Sequence, residues 1–213
     1  MKYIKLFENF EEFDPYEFMM VPPQKKSEIL MWEISHSKQL NTDLVNALIV
    51  MGADLSWEDD LTTRTLLLAA IGNGYIDVIQ MLLSAGADPN QKSSHGEVPI
   101  IVACDKYNPS TEMIQLLIEN GVNIDEQNDV GKTALHISAA EDKFEVVKLL
   151  LSHGANPNVQ DENGNTPLVF SGFKMSNLLI EHGADESIKN NNGHTYGEVT
   201  DDELYGGFEY EDE

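Results

Sequence analysis

GKTALHISAA, residues 131–140, sets one histidine between two runs of small and apolar residues. Whether His136 carries chemistry or holds structure decides how the rest of the chain is read. Thirty-three residues further on, Thr166 opens TPLVF in the same pattern. Upstream, Thr65 opens TLLLAAIGNGY and Val98 opens VPIIVAC, again 33 apart, whereas the step from Val98 to Thr133 is 35, an insertion of two residues. A second marker runs in parallel. MGADLS, AGADPN, NGVNID, HGANPN and HGADES place glycine at 52, 86, 121, 154 and 183. Five units therefore recur at nearly constant spacing, the signature of a repeat architecture.

Each unit has a physical reading. A threonine followed by proline, as at Thr166-Pro167, starts a helix, because the hydroxyl caps and proline tolerates the first helical position. Small and apolar residues follow, then a polar turn such as GNG at 72–74. A second helix comes next, as in EVVKLLLSHG (145–154). Its Val146, Val147, Leu149, Leu150 and Leu151 are too many for one stripe and predict packing on both sides. Gly154 stands where a left-handed C-terminal cap is wanted. The linking stretch NVQDENGN (158–165) is rich in turn formers. Two short helices and a projecting loop cannot bury themselves, so neighbouring units must stack.

With these residues in view, the chain over 28–197 resembles the ankyrin-repeat family, whose pattern includes T-P-L-H-x-A at a period of about 33 residues. The resemblance implies an all-α repeat solenoid: stacked helix–turn–helix units with projecting β-hairpin-like loops. It also gives the histidine a structural part, hydrogen-bonded to the threonine and backbone of its own repeat start and to the adjacent repeat. The counterparts of His136 are Leu68, Ile101 and Val169, none of which does acid–base work. His136 is read as structure.

The sequence departs from the family pattern in several places. The first unit lacks the T-P-L-H start and takes EILMWEISHSK (28–38) and TDLVNALIVMG (42–52) as its helices. The third carries its insertion around DKYNPST (105–111). The fifth is short, with 29 residues from Gly154 to Gly183, so FSGFKMSN (170–177) must turn with few spare residues and its helices should be truncated. A partial sixth unit at 190–197 reads as a C-terminal cap. Before the repeats, residues 1–27 hold an aromatic stripe, Tyr3, Phe7 and Phe10, flanked by Ile4, Leu6 and Phe13, with charged residues opposite and a stiff Pro22-Pro23 joint after it. This segment reads either as a cap on the first unit or as an address tag, since its start is similar to the leader tags of some tailed-phage proteins packaged into capsids. Residues 198–213 hold eight acidic side chains and no basic one, a composition expected to be disordered. That tail reads as a solubilising segment or, through Tyr205, Phe208 and Tyr210, as one that docks in a basic groove.

The charge narrows the function classes. Thirty-seven acidic residues against 13 basic give a formal net charge of −24, which disfavours direct binding to nucleic acid or an anionic membrane and suits a basic protein partner. One cysteine, Cys104, excludes an internal disulfide and fits the cytoplasm or another reducing intracellular compartment. No apolar run reaches the roughly 20 residues that span a bilayer. A monomer is expected.

No constellation supports an enzyme, a metal site or a cofactor. DEQNDVG (125–131) suggests a calcium loop, but its glycine is one position late and His136 stands where the bidentate glutamate belongs. His153 and His182 occupy one repeat position, where a side chain complements the helix C-terminus. The resemblance instead implies binding of another protein by the hairpin tips and the first helices lining a concave face. Carried over by position, the candidates are Arg64, His95, Asp129, Lys132, Glu162 and Asn165 at the tips. Asn73, Asp105 and Glu141 lie at the ends of first helices, and Trp57, in the linker with Asp59 and Asp60 beside it, is either an anchor or packing. The expected function is a non-enzymatic adaptor for a basic protein partner. The alternative is an acidic inhibitor, a polyanion mimic of phage or effector type, acting on a nucleic-acid-binding protein.

Overall fold

Helical propensity and small-residue spacing lead to short helix pairs. In a computed structural model that describes residues 19–37, 40–105 and 109–199, the chain divides into two compact units, residues 1–122 and 123–213. The first unit holds α1 (Pro23–His36), α2 (Thr42–Val50), α3 (Leu66–Asn73), α4 (Ile76–Ser84), α5 (Pro99–Cys104) and α6 (Thr111–Glu119). The helices α1, α3 and α5 form one row, α2, α4 and α6 a second, and the two rows pack on each other. The second unit repeats the plan with α7 (Ala134–Ala140) beside a 3-10 helix (Pro167–Phe170) in the first row and α8 (Phe144–Ser152) beside α9 (Phe173–Glu181) in the second. Among the described residues there is no strand. Glu58 and Thr65 alone make an isolated antiparallel bridge.

The core follows from the two-row stack. Leu66–Ile71 of α3 are all buried, because α1 packs on one side of it, α5 on the other and α4 beneath. Each such leucine removed from water contributes roughly 2 kcal/mol. In α8 the residues Val146, Val147, Leu150 and Leu151 are buried, and Leu149 is half-buried. The caps also follow the sequence. Thr65 Oγ1 accepts from the Leu68 N–H (3.2 Å), and the hydroxyls of Thr133 and Ser110 and the Asn41 amide oxygen do the same at their helices. Gly154, with φ +86°, closes α8 in the left-handed conformation that only glycine adopts without strain.

Three expectations are corrected. The first helix starts at Pro23 rather than residue 28, so Pro22-Pro23 is not a joint: Pro22 is the N-cap and Pro23 the first helical residue, where its missing N–H costs nothing. The helix is long because polar residues on it are also used: Lys26 Nζ donates to Met51 O (2.7 Å) and Ser27 Oγ to Asp54 O (2.8 Å). The second correction concerns Thr166, which does not cap with its side chain. Its repeat is too short for an α-turn, and Val169 N donates to Thr166 O (3.0 Å), three residues back, as a 3-10 helix requires. The truncation expected of both helices of the fifth repeat is observed in the first alone, since α9 has nine residues, as many as α8. Third, Asn165, a candidate surface residue, is only 4% exposed and is consumed by the stack.

The insertion of the third repeat lies between α5 and α6, partly at residues 106–108. Those residues, the aromatic stripe at 3–13 and the acidic tail from residue 200 onward are outside the described residues.

Candidate binding surface

The loops preceding the first helices are built on one recurring pattern of backbone bonds. In the second unit Asn128 N donates to Lys132 O (3.0 Å) and Gly131 N to Asn128 O (2.9 Å). The pair recurs at Asp161 with Asn165 and Gly164, and at Asn190 with His194 and Gly193. The side chain that opens each turn accepts two more N–H groups: Asn128 Oδ1 from Val130 and Lys132, Asp161 Oδ1 from Asn163 and Asn165, Asn190 Oδ1 from Asn192 and His194. This is the local turn chemistry of Asx residues. DEQNDVG is one of these loops, and Asp125 Oδ1 accepts the Asn156 N–H (2.9 Å) of the next repeat.

Neighbouring hairpins are zipped together. Glu162 N donates to Val130 O (3.2 Å) and Asn191 N to Asn163 O (2.9 Å), while Gln127 Nε2 reaches Gln160 O (3.0 Å) and Gln160 Nε2 reaches Lys189 O (3.1 Å). Below them sits His136, fully buried. Its Nδ1 accepts the Thr133 N–H (3.1 Å), and its Nε2–H donates to Asn165 O (3.1 Å) in the following repeat. Burial lowers its pKa below the ordinary 6.5, Lys132 adds to this, and the Asn165 bond and the charge of Asp161 oppose it. The ring is neutral and structural, as the repeat comparison implied. His153 and His182 each bring Nδ1 to a carbonyl of their own last helical turn, Leu149 O and Leu178 O, both at 2.9 Å.

In the first unit the hairpin of residues 58–65 differs from the others. Asp59 N pairs with Arg64 O (3.0 Å), one residue further on than in the other loops, and the extra length leaves Leu61 at the tip 93% exposed. Thr63 holds φ +54° at the position that Gly96, Gly131, Gly164 and Gly193 fill elsewhere. Three side-chain contacts tie this hairpin to the next one: Glu58 Oε1 accepts the Ser94 N–H (2.9 Å), Thr63 Oγ1 meets His95 Nδ1, and Arg64 makes a fork to both carboxylate oxygens of Glu97 (2.8 and 3.1 Å).

These contacts sort the candidate residues. Asp59 is a turn residue, its carboxylate taking the N–H and hydroxyl of Thr62, both at 2.7 Å. Arg64 is spent on Glu97, and Asn165 on its backbone and on Asn190 Nδ2 (3.0 Å). Asp60, Asp129 and Glu162 stand exposed at three tips. His95 is exposed but bonded to Thr63. Trp57 is half-buried. At the ends of first helices, Asn73 is exposed with its amide returned to Ala69 O (2.9 Å), Asp105 is the exposed C-cap of α5, and Glu141 is exposed and paired with Lys143. Lys132 is half-buried with Nζ 4.6 Å from the centre of the Phe170 ring.

Phe170 was missed. Trp57 was the one large aromatic among the candidates, yet the Phe170 ring is half-buried, edge-on to His136 at 6.1 Å and under Lys132. The signal was available: counted from the threonine, Phe170 falls in register with Ile137 and Val102, which are also half-buried.

Comparison with known proteins gives a consistent picture. The family model for ankyrin repeats in three copies matches residues 100–190, and that for a single ankyrin repeat matches residues 63–94. The chain is 30% identical over 104 residues to the E3 ubiquitin-protein ligase KEG of Arabidopsis thaliana, covering 49% of this chain and 6% of that protein. It is 38% identical over 81 residues to the ankyrin repeat and KH domain-containing protein mask-1 of Caenorhabditis elegans, covering 38% and 3%. With the human ankyrin repeat and SOCS box protein 6 the identity is 29% over 107 residues, covering 49% and 25%. The chain thus spans a quarter or less of each of these relatives. Among the described residues, no helix is long and apolar enough to cross a membrane.

Proposed function

This chain belongs to the ankyrin-repeat family, and on that premise we propose that it is a non-enzymatic adaptor, which holds a basic segment of another protein against its hairpin tips and first helices in a reducing intracellular compartment. One observation carries the reading. The exposed carboxylates of Asp60, Asp129 and Glu162 make no ion pair among the described residues. Of the hairpin cations, Arg64 is held by Glu97 and Lys132 lies over the ring of Phe170. The tips therefore present unneutralised negative charge on loops that hydrogen bonds have already ordered. Ordered loops lose less entropy on binding. Rim charges of this kind steer association and choose the sign of the partner more than they add affinity.

In the first unit the surface takes Asp60 as steering charge and Trp57 as anchor, with Asn73, His95 and Asp105; in the second it takes Asp129 and Glu162 as steering charges and Phe170 as anchor, with Lys132 and Glu141. Asp59, Arg64 and Asn165 shape the loops.

The test compares wild type with an Asp60→Lys/Asp129→Lys/Glu162→Lys variant, and with a chain ending at residue 199, for capture of proteins from the native source at two salt concentrations. A partner that binds wild type and the shortened chain, weakens with salt and is lost by the charge variant supports the adaptor. Loss on shortening alone favours the inhibitor that imitates a polyanion. Binding that ignores both charge reversal and salt sinks both readings.

A further inference from the structure

We propose that Asn163 is a modification site: its side-chain amide is lost by attack of the Gly164 backbone nitrogen, which leaves aspartate or isoaspartate at a hairpin tip of the second unit. Four Asn–Gly pairs occur in the sequence, at 73–74, 120–121, 163–164 and 192–193. In each, the glycine has no side chain to shield its nitrogen from the asparagine before it. The reaction needs that N–H to be lost and the asparagine Cγ to reach the nitrogen. All four glycine N–H groups are held alike by the carbonyl three residues back, at 3.0 Å for Gly74 and Gly121 and 2.9 Å for Gly164 and Gly193. Each pair must therefore wait for a local opening, and this bond does not choose between them.

The side-chain amides do choose. Asn73 and Asn120 send Nδ2 back to the carbonyl four residues earlier, Ala69 O (2.9 Å) and Leu116 O (2.8 Å), which turns Cγ away from the following nitrogen. Asn163 stands exposed at its tip, and among the described residues its amide makes no hydrogen bond. Asn192 holds the same place in the next hairpin. Its N–H goes to Asn190 Oδ1 (3.0 Å) as that of Asn163 goes to Asp161 Oδ1 (3.0 Å), but Asn192 has a further partner. Asn163 is thus the residue whose Cγ is held least.

The steps balance without any oxidant or reductant. Hydroxide removes the Gly164 N–H proton, the nitrogen bonds to Asn163 Cγ, the Cγ–Nδ2 bond breaks, and Nδ2 takes a proton from water and leaves as ammonia. Water then opens the cyclic imide, at Cγ to give aspartate or at the backbone carbonyl carbon to give isoaspartate. Either product sets a new carboxylate next to the exposed Glu162. Isoaspartate also lengthens the backbone by one methylene. At that point Asn191 N donates to Asn163 O (2.9 Å), and a Cβ on Gly164 would stand 2.7 Å from Asn191 Oδ1, so extra backbone parts the two hairpins. None of this depends on the adaptor reading.

The test incubates the full chain at pH 8, folded and, in parallel, unfolded in guanidinium chloride, and maps the peptides by mass spectrometry with electron-transfer fragmentation to separate aspartate from isoaspartate. In the unfolded chain only the dipeptide acts, so the four pairs should react at comparable rates. In the folded chain position 163 should carry more product than the other three pairs together, and Asn163→Gln should remove the main acidic species on ion exchange. The purified isoaspartate species should unfold at lower denaturant than Asn163→Asp, which has the charge without the methylene. A folded chain that reacts equally at all four pairs, or first at Asn73, Asn120 or Asn192, overturns the proposal. So does a folded chain that stays unmodified while the unfolded one reacts.

Discussion

The Nε2–H of His136 donates to the carbonyl oxygen of Asn165, 29 residues on, at 3.1 Å, while the Nδ1 of the same ring accepts the N–H of Thr133 at 3.1 Å. One neutral imidazole thus starts helix α7 and fastens the next hairpin to it. Protonation would put a proton on Nδ1, where only the threonine's own N–H and hydroxyl are in reach, and would charge a buried ring. Burial accordingly sets its pKa below 6.5.

The pH consequence has a definite sign. The unfolded chain binds the His136 proton near the ordinary 6.5 and the folded one only at lower pH. The stability tied to neutral His136 is therefore complete above 6.5 and is lost as pH falls from there through the folded value. Denaturant midpoints measured for wild type and His136→Leu should converge between pH 7.5 and 5.5. At pH 7.5 the variant should be about 1–3 kcal/mol less stable, since it leaves the buried Thr133 N–H unpaired and removes one of the two donors to the Asn165 carbonyl. A difference that does not change with pH would show that this ring is not the titrating group.

Thr63 is a β-branched residue at φ +54° where its counterparts are glycine. That conformation costs L-residues roughly 1–2 kcal/mol, more than glycine's added freedom in the unfolded chain. Thr63→Gly should raise stability by about 1 kcal/mol despite losing the contact to His95. Thermal melts of the two proteins decide it, and a lower melting temperature for the variant would mean that the bond to His95 outweighs the strain.

Glycine matters for two separable reasons in these loops. A Cβ on Gly131 would stand 2.7 Å from the Glu162 backbone nitrogen, whereas one on Gly193 meets nothing within 4 Å, although both have positive φ. Gly193→Ala should cost about 1 kcal/mol from backbone strain alone. Gly131→Ala should cost at least about 2 kcal/mol more, because the facing atom is backbone and the hairpins must part. Equal urea midpoints for the two variants would contradict this geometry.

Asp161 Oδ1 accepts two N–H groups, but its Oδ2 is buried without a partner. Asn128 and Asn190 perform the same turn without a charge. Asp161→Asn keeps the acceptor and removes a buried carboxylate charge, so it should stabilise the chain by about 1 kcal/mol at neutral pH. Calorimetry of the pair at pH 7 checks this, and destabilisation would show that the negative charge strengthens the two N–H bonds by more than its burial costs.

Local rules made most of the architecture readable in the chain itself. The period of 33, the capping threonines at 65 and 133 and the left-handed glycines after the second helices each depend on a few neighbouring residues, so the repeat fold was legible. So was the structural role of His136, whose partner Thr133 lies one helical turn away. The shortening of the fifth repeat followed from its residue count. The candidate surface was less legible, because exposure is a relation between repeats. Nothing local to Asn165 says that the next repeat buries it, and nothing local to Arg64 says that Glu97 waits 33 residues on to take both arms of its guanidinium. Phe170 reads as core in a row of apolar residues, although its register with Ile137 and Val102 marks a position that the stack leaves half-buried. The order of residues thus determined the repeat, its caps and its charge, which arise from interactions within a turn or two. Which tips stay free and which polar groups are spent was decided only by tertiary stacking, since that is where one repeat's donors find the next repeat's acceptors.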